Sequence, residues 1–195
     1  MWRPRGKNDW IGAMRRPRSL TQFLIATALA LVALALAACY ASPALLLDPS
    51  EAAHPLEDGV YQRDDDDQAR FRVNLGSDGW YRIEQIDPGG LIEESHRVLL
   101  NAMTLEGGRE GYVLAQQTDE GYEYAVAYLD HGRVYLATPD CVDPLDRNDA
   151  VDHGGQAEDD DPMTHICSFK TRGALTAALA SYAGHASFGA PYIRK

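Results

Sequence analysis

The chain has 195 residues, with 18 Lys and Arg against 29 Asp and Glu and a formal net charge of −11 at pH 7. Its first 38 residues hold six of the basic residues and a single acidic one, Asp9, so the part that follows carries 12 basic against 28 acidic residues. Such a surface repels phosphate backbones, which bind through Lys and Arg that displace their counterions, and this excludes nucleic acid as a partner. The same field favours a basic partner.

Residues 1–13 fit no part of a targeting signal, whereas Met14 followed by Arg15 and Arg16 makes a better start and is read as the initiator. Arg15, Arg16 and Arg18 precede residues 20–38, which contain no charged side chain. A positive segment followed by an apolar run is the build of a secretory signal. The run is about long enough to cross a bilayer as a helix. It is, however, mostly alanine and leucine, and it ends in small residues before a cysteine. That ending, Leu36-Ala37-Ala38-Cys39, resembles the lipobox of bacterial lipoproteins.

The resemblance implies that a signal peptide, residues 1–38, is cut immediately before Cys39. That cysteine would then be diacylated, and its new amino group acylated as well. Three acyl chains, at about 0.8 kcal/mol per buried CH₂, hold far more firmly than a single myristoyl group. In that family an aspartate after the cysteine goes with retention in the inner membrane. Tyr40 stands there instead, so the expected destination is the periplasmic face of the outer membrane.

Residues 39–58 read as a lipidated tether, with Pro43, Pro49 and Pro55 among alanines and leucines and little alternation. From Gly59 the chain becomes alternating and punctuated, and residues 59–190 read as a single β-rich domain. Gly59-Val60-Tyr61 predicts a first strand. It is broken by Asp64-Asp65-Asp66-Asp67, read as a solvated loop tip rather than a calcium site. Phe71, Val73 and Leu75 alternate with Arg70, Arg72 and Asn74, the period of a half-buried strand. Gly76-Ser77-Asp78-Gly79 supplies hairpin chemistry, and residues 80–86 form the return strand.

Residues 95–105 carry apolar side chains on both faces at Val98, Leu99 and Leu100, which predicts a central or bulged strand. Residues 112–115 lead through a turn into Tyr122, Tyr124, Val126 and Tyr128, all on one face. Asp130-His131-Gly132 then closes a hairpin into Val134-Tyr135-Leu136. Residues 144–163 are acidic and patternless and read as a disordered loop. Order returns at residues 165–169. Thr171 is a good N-cap for a helix to about residue 183. Leu175, Ala178, Leu179 and Tyr182 form its apolar stripe, and Gly184 can end it in the left-handed conformation.

The expected fold is therefore mainly β: an antiparallel meander of seven to eight strands, curled or closed into a small barrel, with one C-terminal helix. Cys141 and Cys167, the two cysteines after Cys39, are predicted to form a disulfide in an oxidising envelope. A soft metal site from His165, Cys167, Cys141 and His153 is conceivable by ligand type. The spacing matches no zinc framework, so no metal is assigned. Tyr112, Tyr122, Tyr124, Tyr128 and Tyr135 crowd adjacent strands and are the candidate ligand face, since aromatic walls with polar tips suit glycans or small lipophilic molecules.

There is no Gly-x-Ser-x-Gly elbow, His-Glu-x-x-His, P-loop or dinucleotide fingerprint. Neither catalysis nor a cofactor is expected. The sequence points to a membrane-attached, non-enzymatic binding or envelope-structural module whose partner is a basic envelope protein or a glycan. A lipocalin-like carrier using the tyrosine face, and an inhibitor or immunity protein for a periplasmic enzyme, are the competing readings. An open tyrosine-lined cavity would favour the carrier; a filled barrel would favour the others.

Overall fold

A computed structural model describes residues 40–161 and 164–195, without the side chains of residues 159–161, 164 and 165. The candidate signal and Cys39 lie outside the described residues. Among the described residues the chain forms eleven strands and two α-helices. In order these are β1 (Tyr40–Ser42), β2 (Gly59–Arg63), β3 (Asp66–Leu75), β4 (Tyr81–Ile86), β5 (Ile92–Thr104), β6 (Glu110–Gln117), β7 (Tyr122–Asp130) and β8 (Arg133–Ala137). There follow α1 (Pro144–Asp152), β9 (Gln156–Asp161), β10 (Thr164–Ser168), α2 (Arg172–His185) and β11 (Tyr192–Arg194).

The hairpins form where turn chemistry allows the chain to reverse. Between β7 and β8, His131 (φ 50°) and Gly132 (φ 76°) make a two-residue turn with both φ positive, which matches the twist of the flanking strands. Strands β2 to β8 form a continuous antiparallel meander. The circle is closed by β11, which pairs antiparallel with both β8 and β2. The result is a closed eight-stranded barrel, with no exposed edge among those eight strands.

A three-stranded wing, β1-β10-β9, branches from the barrel at β7. The second half of β7 pairs with β8, from Val126 opposite Ala137 to Asp130 opposite Arg133. Its first half pairs instead with β1, Tyr40 opposite Tyr124 and Ser42 opposite Tyr122. On its other side β1 runs parallel to β10, Tyr40 opposite Cys167. The first strand of the fold thus begins where β8 leaves the sheet.

Two apolar cores result from side-chain alternation. Tyr61, Val73, Tyr81, Val98, Leu100, Tyr112, Ala127 and Val134 point into the barrel. Leu99, Val113, Ala115, Tyr124 and Val126 point outward and pack under α2, against Leu175, Ala178, Leu179 and Tyr182. This explains the apolar triplet on β5. Val98 and Leu100 face the interior and Leu99 faces the helix, so the strand is sandwiched between two cores. Thr171 caps α2 through its hydroxyl, which accepts from the Ala174 N–H.

The mainly β class, the small barrel and the disulfide agree with the sequence reading. Four features differ from it. Residues 40–58 are not a free tether: Tyr40 is 0 % exposed, Leu47 is buried and Ala52 bridges Asn101. The segment is fixed by long-range contacts to β5, β7 and β10 that local composition does not signal. The acidic stretch expected to be disordered holds α1 and β9. Its helix begins on Asp143, whose carboxylate accepts from the Leu145 N–H, with Pro144 in the first turn. The barrel also reaches past residue 190, since β11 completes it. Finally, α2 is not the only helix, and Gly184 lies inside it rather than ending it; Ala186 is the C-cap.

Candidate functional site

The barrel interior is the first place a ligand would lie. It is occupied by three tyrosines of its own, Tyr61, Tyr81 and Tyr112, wedged among the aliphatic side chains of four other strands. Each phenol is held. Tyr61 donates to the Glu57 carbonyl at 3.0 Å. Tyr81 donates to the Leu56 carbonyl at 3.0 Å and accepts from the Leu56 N–H at 3.1 Å, which fastens the segment before β2 over the barrel. Tyr112 donates to a Glu110 carboxylate oxygen at 2.9 Å. Burial, reinforced by that carboxylate, pushes the Tyr112 phenol up to about 12. These hydroxyls are structural donors and stay protonated at any physiological pH.

The candidate tyrosine face is divided by the structure. Tyr112 is inside the barrel. Tyr124 is fully buried on the outer side under the helices. Its hydroxyl lies 2.8 Å from Ser42 Oγ and accepts from the Leu46 N–H at 3.0 Å, so it clasps the chain that leaves β1. Tyr122 is half-buried, its ring centroid 6.4 Å from that of Trp80. Tyr128 and Tyr135 remain together. They stack at 4.5 Å with planes 2° apart on neighbouring outer positions of β7 and β8. Phe188 meets Tyr128 edge-on at 4.8 Å, and the Arg109 guanidinium lies 5.3 Å from the Tyr128 centroid. All three rings are half-buried. The correction has a simple cause: Tyr112 and Tyr128 sit on opposite faces of the same sheet, and a closed barrel separates those faces.

The other sequence candidates fare differently. Cys141 and Cys167 form the disulfide, with their Cα atoms 6.0 Å apart. Both thiols are thereby removed from the conceivable metal set. His153 is at the C-cap of α1, and the His165 side chain lies outside the described residues. Among the described residues no group of three or more His, Cys, Asp or Glu is arranged to hold a metal ion. In the acidic run, Asp65 pairs with Arg63 at 2.6 Å, and Asp66 lies 3.4 Å from the same arginine. No family model, curated protein or solved structure matches the chain.

One polar cluster escaped the sequence reading. Between α1 and α2, Asp149 accepts from the Ser181 hydroxyl at 2.7 Å and lies 2.6 Å from His185 Nε2. Asp146 accepts from the Asp140 N–H at 2.7 Å, with His185 Nδ1 4.0 Å away. Burial, and then the neighbouring Asp143 and Asp149, raise the Asp146 carboxyl above its ordinary range, against the lowering effect of the backbone bond and of His185. Ser181 gives its hydrogen to a carboxylate rather than to the imidazole. The arrangement therefore fastens two helices and does not activate a nucleophile. It could not be read from sequence because its two halves, one on each helix, lie more than 30 residues apart and the sequence does not signal α1.

Proposed function

We propose that the chain is a lipoprotein of the bacterial cell envelope, anchored through an acylated Cys39, whose barrel is a non-enzymatic binding module for a basic envelope protein. The anchor rests on the apolar run and the Leu36-Ala37-Ala38-Cys39 ending. The basic partner rests on the 12-against-28 charge balance of the part after residue 38. The observation that carries the binding role is the placement of the aromatic side chains. The interior is filled by the protein's own tyrosines, while the Tyr128–Tyr135–Phe188 group with Arg109 stays partly open on the outer wall. Tyrosine and arginine in such a position are the residue types that dominate interface energies. The packed interior also weighs against the carrier reading, because a lipocalin-like ligand would have to displace Tyr61, Tyr81 and Tyr112.

The test has two parts. Cys39→Ser is expected to leave unprocessed precursor without acyl label, and normal processing of that variant would overturn the anchor. Fractionation is expected to recover the protein with the outer membrane. Crosslinking in native envelopes is then compared between the wild type and Tyr128→Ser/Tyr135→Ser. Removing an aromatic centre worth about 2 kcal/mol should weaken capture of a basic protein by about thirtyfold. Undiminished capture by the variant would overturn the binding surface, as would a glycan or a stoichiometric small lipophilic molecule as the co-purifying species.

A further inference from the structure

We propose that the domain rests directly on the lipid bilayer, through the surface formed by residues 138–143 and the first turn of α1, with Val142 and Leu145 as the side chains that enter the interface. The inference builds on the anchored reading and adds to it an orientation and a contact face.

The argument begins with slack. An acylated cysteine lies at headgroup depth, and each headgroup layer is about 5–7 Å thick. Consecutive Cα atoms are about 3.8 Å apart. The residue after Cys39 is Tyr40, which is already locked into the fold. Its backbone is paired on one side with Tyr124 and on the other with Cys167. Its ring packs against Phe169 and Tyr182 at centroid distances of 5.0 and 6.4 Å. Its hydroxyl donates to the Asp146 carbonyl in α1. No stretch of free chain separates the acylated residue from the sheet, so the protein surface next to Tyr40 is brought to the headgroups.

The register identifies that surface. Strand β8 ends at Ala137, opposite Val126, and Tyr40 begins two residues further down β7, opposite Tyr124. The connection from β8 to α1 therefore leaves the sheet where β1 enters it. It is tied there twice: Cys141 is bonded to Cys167, the register partner of Tyr40, and Asp146 receives the Tyr40 hydroxyl. Between those two ties stand Val142, 61 % exposed, and Leu145, 62 % exposed. They are two large apolar side chains in water at the point where the chain meets its anchor. Asp140 and Asp143 on the same segment are also exposed. This face therefore suits zwitterionic rather than anionic headgroups, and contact depends on the covalent anchor.

The test uses the full acylated protein in phosphatidylcholine vesicles that carry brominated acyl chains. Trp80 is the only tryptophan after Cys39, so a Trp80→Phe background allows a reporter to be placed at will. Leu145→Trp, and independently Val142→Trp, should be quenched at least twofold more than Leu91→Trp. Leu91 precedes β5, two strands round the barrel from β7, at the β4–β5 turn and is 71 % exposed. Equal quenching at positions 145 and 91, or none at 142 and 145, in protein whose mass confirms the acyl groups would overturn the contact face and leave the anchor standing. A mass without acyl groups would overturn both.

Discussion

Reduction of the Cys141–Cys167 disulfide offers the clearest measure of how the wing is held. The two cysteines are 26 residues apart, and α1, β9 and most of β10 lie within the loop they close. In the chain-entropy description a loop of that size restricts the unfolded chain by about 3.5 kcal/mol. Replacing both cysteines by alanine would add a packing loss, because both are buried at the centre of the outer core. Comparing one sequence in its oxidised and reduced states is therefore cleaner. With a urea dependence of about 2 kcal/mol/M for a domain of this size, reduction should lower the unfolding midpoint by about 1.7 M. The barrel strands should unfold in the same transition as the wing, because Tyr124 and Val126 on β7 belong to the same core as Cys141 and Cys167. Far-UV circular dichroism and tyrosine fluorescence report these together. A midpoint change under about 0.3 M, or two titratable thiols in the non-reduced protein, would refute the reasoning.

Two further predictions concern the same region. The Asp146 carboxyl is raised in the folded state. Its contribution is thus present below the ordinary carboxylate range and lost as pH rises through the raised value. Asp146→Asn keeps an acceptor for the Asp140 N–H, so it should gain stability relative to wild type as pH rises from 4 to 7. A difference independent of pH in chemical denaturation would contradict this. Gly121 has φ 148°, and a Cβ there would lie 2.4 Å from the Ser42 carbonyl oxygen, so Gly121→Ala should cost at least about 2 kcal/mol by forcing β1 away from β7. Gly132→Ala, with φ 76° and open space around it, should cost about 1 kcal/mol, and equal losses at the two positions in thermal melts would exclude the clash.

The elements legible in the sequence were those whose signal is local. The β3–β4 and β7–β8 hairpins announce themselves by Gly76-Ser77-Asp78-Gly79 and His131-Gly132, and the period of two continues on both sides. The helix after Thr171 shows its cap and its apolar stripe within one stretch. Strands β1 and β11 are each three residues long, too short to show a period, and their partners lie far along the chain: Tyr124 for Tyr40 and Val134 for Tyr192. Helix α1 was hidden by its charge. Only Asp146 and Ala150 of its nine residues are buried, so it has no apolar stripe and is held instead through Asp149 to Ser181 and His185. Its one local signal was the Asp143-Pro144 cap. The tyrosine face was misread because alternation tells which residues share a face of a strand. It does not give the register between strands, which sets Tyr112 opposite Ala127 and so on the other face of the sheet from Tyr128.

Tyr40 is where the proposed anchor and the observed fold meet, and the two place different demands on it. By resemblance to lipoproteins, an aspartate at this position would redirect the protein to the inner membrane. In this fold the same aspartate would replace a fully buried ring beside Phe169 and Tyr182. Burial, and then the nearby Asp149 and Asp146, already raise the Tyr40 phenol, and a carboxylate at this position would sit near both aspartates. An unpaired carboxylate there costs several kcal/mol, so sorting and folding cannot be varied independently at residue 40. The missing slack also limits reach. A flexible linker of 20 residues would give the domain about 25 Å of root-mean-square freedom. A domain of this length held at its own first residue spans only about 40 Å. On the anchored reading, the Tyr128–Tyr135 surface therefore meets only partners that themselves come within that distance of the membrane.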